Sequence, residues 1–499
     1  MQRPFPPDMA AASGKKQVLI YGRFHTTSCI FIHVLAHLLK EEVKRLNGFH
    51  FHLLLDDRRD ESLVRSLLPA EQVTLHLQYK SLRPHQANGS WSSETIRRWE
   101  KSYGDPHLKS YILMERALEG RPEDARWRYL FSHIDYFENL YQKIRPAAYI
   151  SGTADGLSPW VAMNVMRRNG VRFLSFSPSR FGSQAFLLDN PHEILHVGPA
   201  YRQLRRDGLS PQEREAASEL LQEYRMKALK PRDHLAVRMK HRLRGPVPNP
   251  LSAIRLLKES FFTDTGIFDL PFSVAVRRAL CARRTWFYNR LFSGSRVKEL
   301  PPGEKFFFFP LQYEPEISLA TQGRGWINQL ELVKLIRDSL PIDRWLYVKE
   351  HPSMLPGIRP FRFYRELARL PRVRILPQFM DSYQIVPKAE AVLTITGTAG
   401  WEALMFNRPV VLFGHSFYEE FEEGVLRLDK REDLPQILLK IRHHRIPEEA
   451  TLAYIAAVLT KTCRGLFIEP RHYHELGPEV LGADNIEGIG RAMLEALPT

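Results

Sequence analysis

Residues 391–413 read Ala391-Val-Leu-Thr-Ile-Thr-Gly-Thr-Ala-Gly-Trp-Glu-Ala-Leu-Met-Phe-Asn-Arg-Pro-Val-Val-Leu-Phe413. The apolar run 391–395 passes through a turn of threonines and glycine into a helical stretch, 398–406. Pro409-Val-Val-Leu-Phe413 is a second apolar run. Two short, continuously apolar strands separated by a helix form a crossover unit. Such strands are apolar on both faces because helices cover both sides of a parallel sheet.

The same alternation extends outward from this unit. Towards the N-terminus, 305–310 is a strand with four consecutive phenylalanines, 329–339 a helix, and Trp345-Leu-Tyr-Val-Lys349 and 373–376 are strands. It recurs in the first two hundred residues. Lys16-Gln-Val-Leu-Ile-Tyr-Gly22 is a strand, 27–46 a helix, and 49–55 a strand ending in Asp56-Asp-Arg-Arg-Asp60, which reads as solvated. Then 127–144 is helical, Ala147-Ala-Tyr-Ile-Ser151 a strand, 157–168 a helix stopped by Gly170, and 171–176 a strand. The stretch 80–125 reads as polar and loop-rich, and the chain from 434 onward as mostly helical. Between the halves, 210–300 is basic, helical and broken by Gly245-Pro-Val-Pro-Asn-Pro250. The pattern predicts an α/β protein of two nucleotide-binding-type halves. Its expected parts are a tail 1–15, a first domain 16–210, a basic helical connecting segment 211–300, a second domain 301–445 and C-terminal helices 446–499.

Composition narrows the class. The 499 residues are 44% hydrophobic and 25% charged, which argues against wholesale disorder. Three scattered cysteines exclude a disulfide scaffold and a cysteine zinc motif, and fit a reducing compartment. The start, Met1-Gln-Arg-Pro-Phe-Pro-Pro7, lacks the apolar core of a signal peptide, and no window reaches the ~18 apolar residues of a membrane span. These features lead us to expect a soluble, cytoplasmic protein. The net charge of +15 asks for an anionic partner. From Arg225 to Lys298 there are seventeen Lys and Arg against four Asp and Glu, a local surplus of +13. Aromatic residues interleave there, at Phe261-Phe262, Trp286-Phe287-Tyr288 and Leu291-Phe292. A basic stretch with interfacial aromatics suits an anionic membrane surface, with a plainly solvated face as the alternative. No recognised nucleic-acid motif accompanies the charge, so nucleic acid is not an expected partner.

Open parallel sheets bind ligands beyond the carboxyl ends of their strands, and three such ends carry chemistry. Trp345-Leu-Tyr-Val-Lys-Glu-His-Pro352 delivers Glu350 and His351 at a strand end, where Pro352 restricts the His351 backbone to extended conformations. A histidine there can donate a charge-assisted hydrogen bond to a phosphate oxygen. In Thr394-Ile-Thr-Gly-Thr-Ala-Gly-Trp-Glu402, the free amides of a helix start combine with the Thr396 and Thr398 hydroxyls as an anion site. Gly397 and Gly400 would let the backbone approach a ligand closely. Glu402, one turn into the helix, would reach a ribose hydroxyl pair. No Gly-Lys-Ser/Thr follows, so this is not a P-loop. Ser151-Gly-Thr-Ala-Asp-Gly156 offers a single carboxylate, Asp155, suited to act as a general base. Each of the three also has a plain reading, as a loop histidine, a capped helix or an Asp-Gly turn. No Asp-x-Asp or helical His spacing points to a metal.

Together these stretches resemble the capsule polysaccharide biosynthesis family, which includes bacterial β-Kdo transferases. His351-Pro352 looks like the histidine-proline motif of GT-B transferases that use CMP-activated acidic sugars. Thr396-Gly397-Thr398 resembles their serine/threonine motif, and Ala154-Asp155-Gly156 partly matches their acidic motif. Gln312, after the Phe306 strand, and Pro409-Val-Val-Leu-Phe-Gly414 extend the similarity over 300–420. The resemblance implies a GT-B fold, two Rossmann-like domains facing a central cleft, and an inverting, metal-independent glycosyltransferase without a resident cofactor. The donor would be a nucleotide sugar, CMP-Kdo, and the acceptor a membrane-associated glycolipid or surface polysaccharide at the inner face of the cell membrane. His351 and Asp155 would be catalytic. Glu350, Pro352, Gln312, Thr396, Gly397, Thr398, Gly400 and Glu402 would bind substrate, with the turn Pro377-Gln-Phe-Met-Asp381 near the base. Ala154 stands where the family often has a second acid, with Asp189 and Glu314 as fallback carboxylates. The rival readings are a transferase for another nucleotide sugar (CMP-sialic acid-like, UDP- or GDP-linked) and a non-catalytic glycan- or lipid-binding assembly factor.

Overall fold

A computed structural model describes residues 14–22, 25–55, 59–78, 82, 90–104, 107–115, 118–154, 156–179, 181, 184–229, 299–314, 316–323, 325–352, 354, 359–467 and 480–498. Asp155, the 1–13 tail and almost all of the basic segment, 230–298, lie outside these residues.

Thirteen strands are described: β1 Lys16–Gly22, β2 Phe49–Leu55, β3 Val73–Leu77, β4 Ala148–Gly152, β5 Arg172–Pro178, β6 Gln184–Leu188, β7 Phe306–Pro310, β8 Trp345–Lys349, β9 Val373–Leu376, β10 Ala391–Thr394, β11 Val410–Leu412, β12 Val425–Arg427 and β13 Thr462–Arg464. They form two sheets. The first has the order β13-β6-β5-β4-β1-β2-β3 and the second β12-β11-β10-β7-β8-β9. Every pairing in the second sheet is parallel, while β6 and β13 add antiparallel edges to the first. Read from β9, the second sheet runs in the doubly wound order in which the first strand of each half is central. The chain therefore holds two Rossmann-like α/β domains.

Apolar continuity made most strands legible. Phe306 to Phe309 are all buried, two of them in a core with Leu346, Val348, Leu393 and Val411. In β2 the period of two separates faces: Phe49, Phe51, Leu53 and Leu55 enter the first core, whereas His50 and His52 turn the other way. Four strands escaped the sequence reading: β3, β6, β12 and β13. The stretch expected to be loop-rich, 80–125, contains helices Ser93–Tyr103 and Leu108–Met114. Asp60, expected at a solvated strand end, is fully buried in the first turn of the helix Arg59–Leu67.

The compact units differ from the expected boundaries. Among the described residues, one unit runs to Glu193 and resumes at Lys461; the other spans Ile194 to Thr460. The helix Gly198–Asp207 belongs to the second unit through Arg202–Glu422 at 2.7 Å, Arg205–Glu423 at 2.9 Å and a Gly198 amide donated to Glu420 at 2.6 Å. The expected helices 446–499 divide: Glu448–Leu459 stays with the second unit, while Ala483–Ala496 packs on the helix His25–Glu41 in the first core. Arg225, the first cation of the basic segment, donates to the Met405 carbonyl at 2.8 Å and pairs with Glu448 at 3.1 Å. Its charge is thus engaged within the second domain. No described helix is long and apolar enough to cross a membrane.

The histidine face of β2 gives a pH prediction. His52 Nδ1 meets His76 Nε2 at 2.9 Å, and His52 Nε2 meets Gln17 at 2.9 Å. One nitrogen of the His52–His76 contact must accept, which requires the accepting ring to be neutral. Burial, then His76, His50 and Lys143, pushes His52 down to about 3; burial, then Lys143 and His50, pushes His76 down to about 4. In the unfolded chain both titrate near 6.5, so between about pH 4 and 6.5 the unfolded state binds more protons. Their contribution is whole above pH 6.5 and is lost as pH falls, by about 1.4 kcal/mol per pH unit for each proton. Urea unfolding should show the wild type losing more stability than His52→Gln between pH 7.5 and 5.5. Equal losses would refute the linkage.

Candidate functional site

The candidate residues of the second domain gather at one edge of its sheet, because all its strands run the same way. Gln312 follows β7, Glu350 to Pro352 follow β8, Pro377 to Asp381 follow β9, and Thr396 to Thr398 follow β10. The chain reverses its direction of travel across the sheet between β7 and β10, and crevices in open α/β sheets form at such a switch.

At that switch Gln312 and the Thr396 turn engage each other. The Thr396 hydroxyl lies 3.1 Å from the Gln312 amide. With its oxygen turned inward, Gln312 accepts from the amides of Thr396 at 2.6 Å and Gly397 at 2.8 Å. Gln312 is held in turn by Gln329, which accepts from its N–H at 2.7 Å and donates to its carbonyl at 3.1 Å. The Gly397 amide also reaches the buried Thr394 hydroxyl at 3.0 Å. Two of the expected anion-binding amides are therefore engaged by the protein itself. The helix Thr398–Met405 has no side-chain cap, and Thr398 at its start is exposed.

Gly400 has a packing reason to be glycine. A Cβ there would lie 2.1 Å from the Tyr418 hydroxyl, which donates to the Gly397 carbonyl at 2.6 Å. Tyr418 thereby braces the turn from beneath. Glu402 is half-buried on the same helix.

His351 is held by its backbone. Its N–H donates to Glu350 Oε1 at 2.8 Å, and its carbonyl accepts from Gln378 Nε2 at 3.0 Å and from the Met354 N–H at 3.0 Å. Gln378 also donates to the Pro352 carbonyl at 3.3 Å. The half-buried imidazole packs edge-on to Tyr313, with ring centres 5.8 Å apart. The main chain thus supports the turn while the ring sits at its rim.

Beneath this turn lies a buried ion cluster built on Arg359, which sequence reasoning missed. Arg359 is 2% exposed. It pairs with Glu350 at 2.9 Å and Glu314 at 2.7 Å, donates to the Gln312 carbonyl, and lies 4.8 Å over the Phe363 ring. Burial draws its pKa down, but Glu350 and Glu314 outweigh burial and hold it above the ordinary arginine value. Glu350 also accepts from the Tyr364 hydroxyl at 2.7 Å. Glu350 and the fallback carboxylate Glu314 are thus members of a structural ion cluster. No sequence signal marked Arg359, because its partners come from two other strand ends.

In the first domain, Ser151 and Gly152 end β4 at the corresponding switch beside β1. Gly156 adopts φ of 117°, a conformation that requires glycine. The buried Glu115 accepts from the Leu157 amide at 3.2 Å, so a carboxylate already occupies the start of the helix Leu157–Arg168. Asp189, the other fallback, follows the antiparallel β6 and lines a groove with Arg167, Gly170 and Arg172, near the amino end of β5. It is not at the carboxyl edge where β4 ends. Among the described residues, no group of three or more His, Cys, Asp or Glu is placed to hold a metal ion.

The chain is thus a two-domain Rossmann-like α/β protein whose second domain gathers a histidine-proline turn and a threonine-glycine helix start at one sheet edge. Residues 276–430 match the family described as capsule polysaccharide biosynthesis protein, which bears out the resemblance over that segment. No curated protein sequence matches the chain. The chain is similar to two solved structures of Thermosulfurimonas dismutans KpsC. For the beta Kdo 2,7 transferase, identity is 13%, with 67% of this chain and 84% of that one covered at a TM-score of 0.36. For the beta Kdo 2,4 transferase, identity is again 13%, with coverages of 70% and 87% and a TM-score of 0.36. A Methanocaldococcus jannaschii UDP-GlcNAc 2-epimerase in complex with UDP-GlcNAc and UDP is also similar, at 13% identity, coverages of 89% and 99%, and a TM-score of 0.28.

Proposed function

We propose that the protein is a glycosyltransferase of capsule polysaccharide synthesis, inverting and metal-independent, that moves Kdo from CMP-Kdo onto a membrane-associated glycolipid or growing surface polysaccharide. The observation that carries this reading is the pairing of His351 and Thr396-Gly397-Thr398. They stand on strands either side of β7, inside the segment that matches the capsule family.

In this mechanism His351 donates a hydrogen bond to the CMP phosphate as the bond from the anomeric carbon to the phosphate oxygen breaks. The Thr396 and Thr398 hydroxyls and the uncapped helix start add further donors. Glu402 accepts from the ribose hydroxyls. Asp155 takes the proton from the acceptor hydroxyl as its oxygen bonds to the anomeric carbon, opposite the departing CMP. Gln312, Glu350 and Gly400, each engaged with other parts of the protein, keep the turns in shape. The remaining cations of 227–298 would hold the enzyme peripherally at the anionic inner face of the cell membrane.

Thermal-shift comparison of CMP, UDP and GDP tests the donor. CMP should stabilise the protein most, and preferential stabilisation by UDP or GDP would replace it as the leaving group. Liposome flotation tests the membrane contact, which requires recovery on anionic vesicles and not on neutral ones.

A further inference from the structure

Another histidine, His415, stands three residues beyond β11 at the carboxyl edge of the second sheet. Backbone hydrogen bonds extend the β10–β11 pairing towards it. The Phe413 amide donates to the Thr394 carbonyl at 3.0 Å and the Gly414 amide to the Ile395 carbonyl at 2.8 Å. Gly414 lies so close to the threonine-glycine turn that a Cβ on it would be 3.0 Å from Thr396 Cγ2. Tyr418, in the same loop, donates to the Gly397 carbonyl at 2.6 Å. The loop that carries His415 is therefore fastened to the turn through both Gly414 and Tyr418. Neighbouring strands lie about 4.8 Å apart; β11 is one strand from β10, and β8 is two strands away on the other side. His415 and His351 thus flank the Thr396 turn, and His415 comes from the nearer strand end.

The His415 ring has a fixed orientation. Its Nδ1 lies 2.9 Å from Glu419 Oε2. Glu419 also accepts from the Ser416 amide at 3.2 Å and pairs with Arg427 at 3.2 Å. Burial raises the Glu419 carboxyl, but His415, Arg427 and the Ser416 amide outweigh burial and hold it below its ordinary value. An ionised carboxylate only accepts, so Nδ1 carries a proton. The Glu419 side chain is 7% exposed and that of His415 26%. Because the Nδ1 edge of the ring faces a buried carboxylate, the exposed edge is the opposite one, which bears Nε2. That nitrogen accepts in the neutral ring and donates in the imidazolium.

We propose that His415 is a substrate-contacting residue of this site, its imidazolium Nε2 donating to an anionic oxygen of the nucleotide sugar at the Thr396–Thr398 turn. Glu419 is its positioning residue. The anion is the phosphate or the carboxylate of an acidic sugar, and the assignment rests on the nucleotide-sugar reading above.

His415→Asn on the full chain removes Nε2 while keeping an amide donor near the position of Nδ1. Calorimetry with CMP and steady-state transfer from CMP-Kdo then separate the two anions. A phosphate contact predicts that CMP binds roughly tenfold more weakly, the loss of one charged hydrogen bond. A carboxylate contact predicts unchanged CMP affinity and a KM for CMP-Kdo raised by about the same factor. Neither change in folded His415→Asn would overturn the proposal. His415→Gln, whose amide falls near Nε2, should recover part of the loss, and it replaces His415→Asn if that variant does not fold. Glu419→Gln should add nothing in the His415→Asn background; additive losses would show that Glu419 does not act through His415. Failure of the wild type to bind CMP, UDP or GDP would overturn the nucleotide reading. Inorganic phosphate titrated against the His415 ring resonances, assigned by their loss in His415→Asn, would then test the anion contact alone. Resonances that do not move would overturn it.

Discussion

His351→Ala is expected to lower turnover with CMP-Kdo by about 10²–10³-fold, the range seen when one donor to a developing anion is removed. Stability should hardly change. The contacts that fix the turn are made by the His351 backbone, through Glu350, Gln378 and Met354, and alanine keeps all of them. The substitution removes the half-buried ring, including its edge contact with Tyr313. The decisive measurement is single-turnover transfer to a lipid-linked acceptor, paired with a denaturation curve. Undiminished turnover would remove His351 from the mechanism; a large drop in stability would show that the ring is structural.

Arg359→Leu should produce the largest stability loss of any single change near the site. The substitution leaves the Glu350 and Glu314 carboxylates, which Arg359 neutralises, without their cation. Breaking a buried pair from one side costs about 3–5 kcal/mol, because the remaining charge stays desolvated. The Gln312 carbonyl also loses a donor. Arg359→Lys should fall between, since an ammonium supplies the charge but not the planar fork that spans three acceptors. A loss below about 1 kcal/mol for Arg359→Leu in chemical denaturation would mean the cluster is solvated and contributes little. Because Glu350 links Arg359 to the His351 backbone, surviving Arg359→Leu protein should also transfer sugar more slowly.

How much was legible can be judged element by element. The strands Lys16–Gly22, Phe49–Leu55, Phe306–Pro310 and Trp345–Lys349 were readable because a strand covered on both faces is a run of apolar residues. Val73–Leu77 alternates apolar with Thr and His, and Thr462–Arg464 is a three-residue antiparallel edge. Neither presents that run. The site was legible where residues are neighbours in the chain, as in His351-Pro352 and Thr396-Gly397-Thr398. It was opaque where partners meet only after folding, as with Arg359 and Glu314 or Tyr418 and Gly400. Gly397 and Gly400, expected to let the backbone approach a ligand, have a packing reason to be glycine, since at both positions a Cβ would meet the protein itself.

By itself the sequence determined that this chain is α/β, that it has two nucleotide-binding-type halves, and that strand ends near 351 and 397 carry the polar chemistry. Those properties follow from local periodicity and from residue types adjacent in the chain. Only the tertiary structure decided which segments complete which domain. An amphipathic helix records that one face must be buried but not against which core, so Gly198–Asp207 and Ala483–Ala496 could not be assigned until their partners were seen. Only the tertiary structure, likewise, set the electrostatics of the site. The state of a buried charge depends on distances to carboxylates brought together by folding, and Arg359 and Glu350 acquire their roles from strand order.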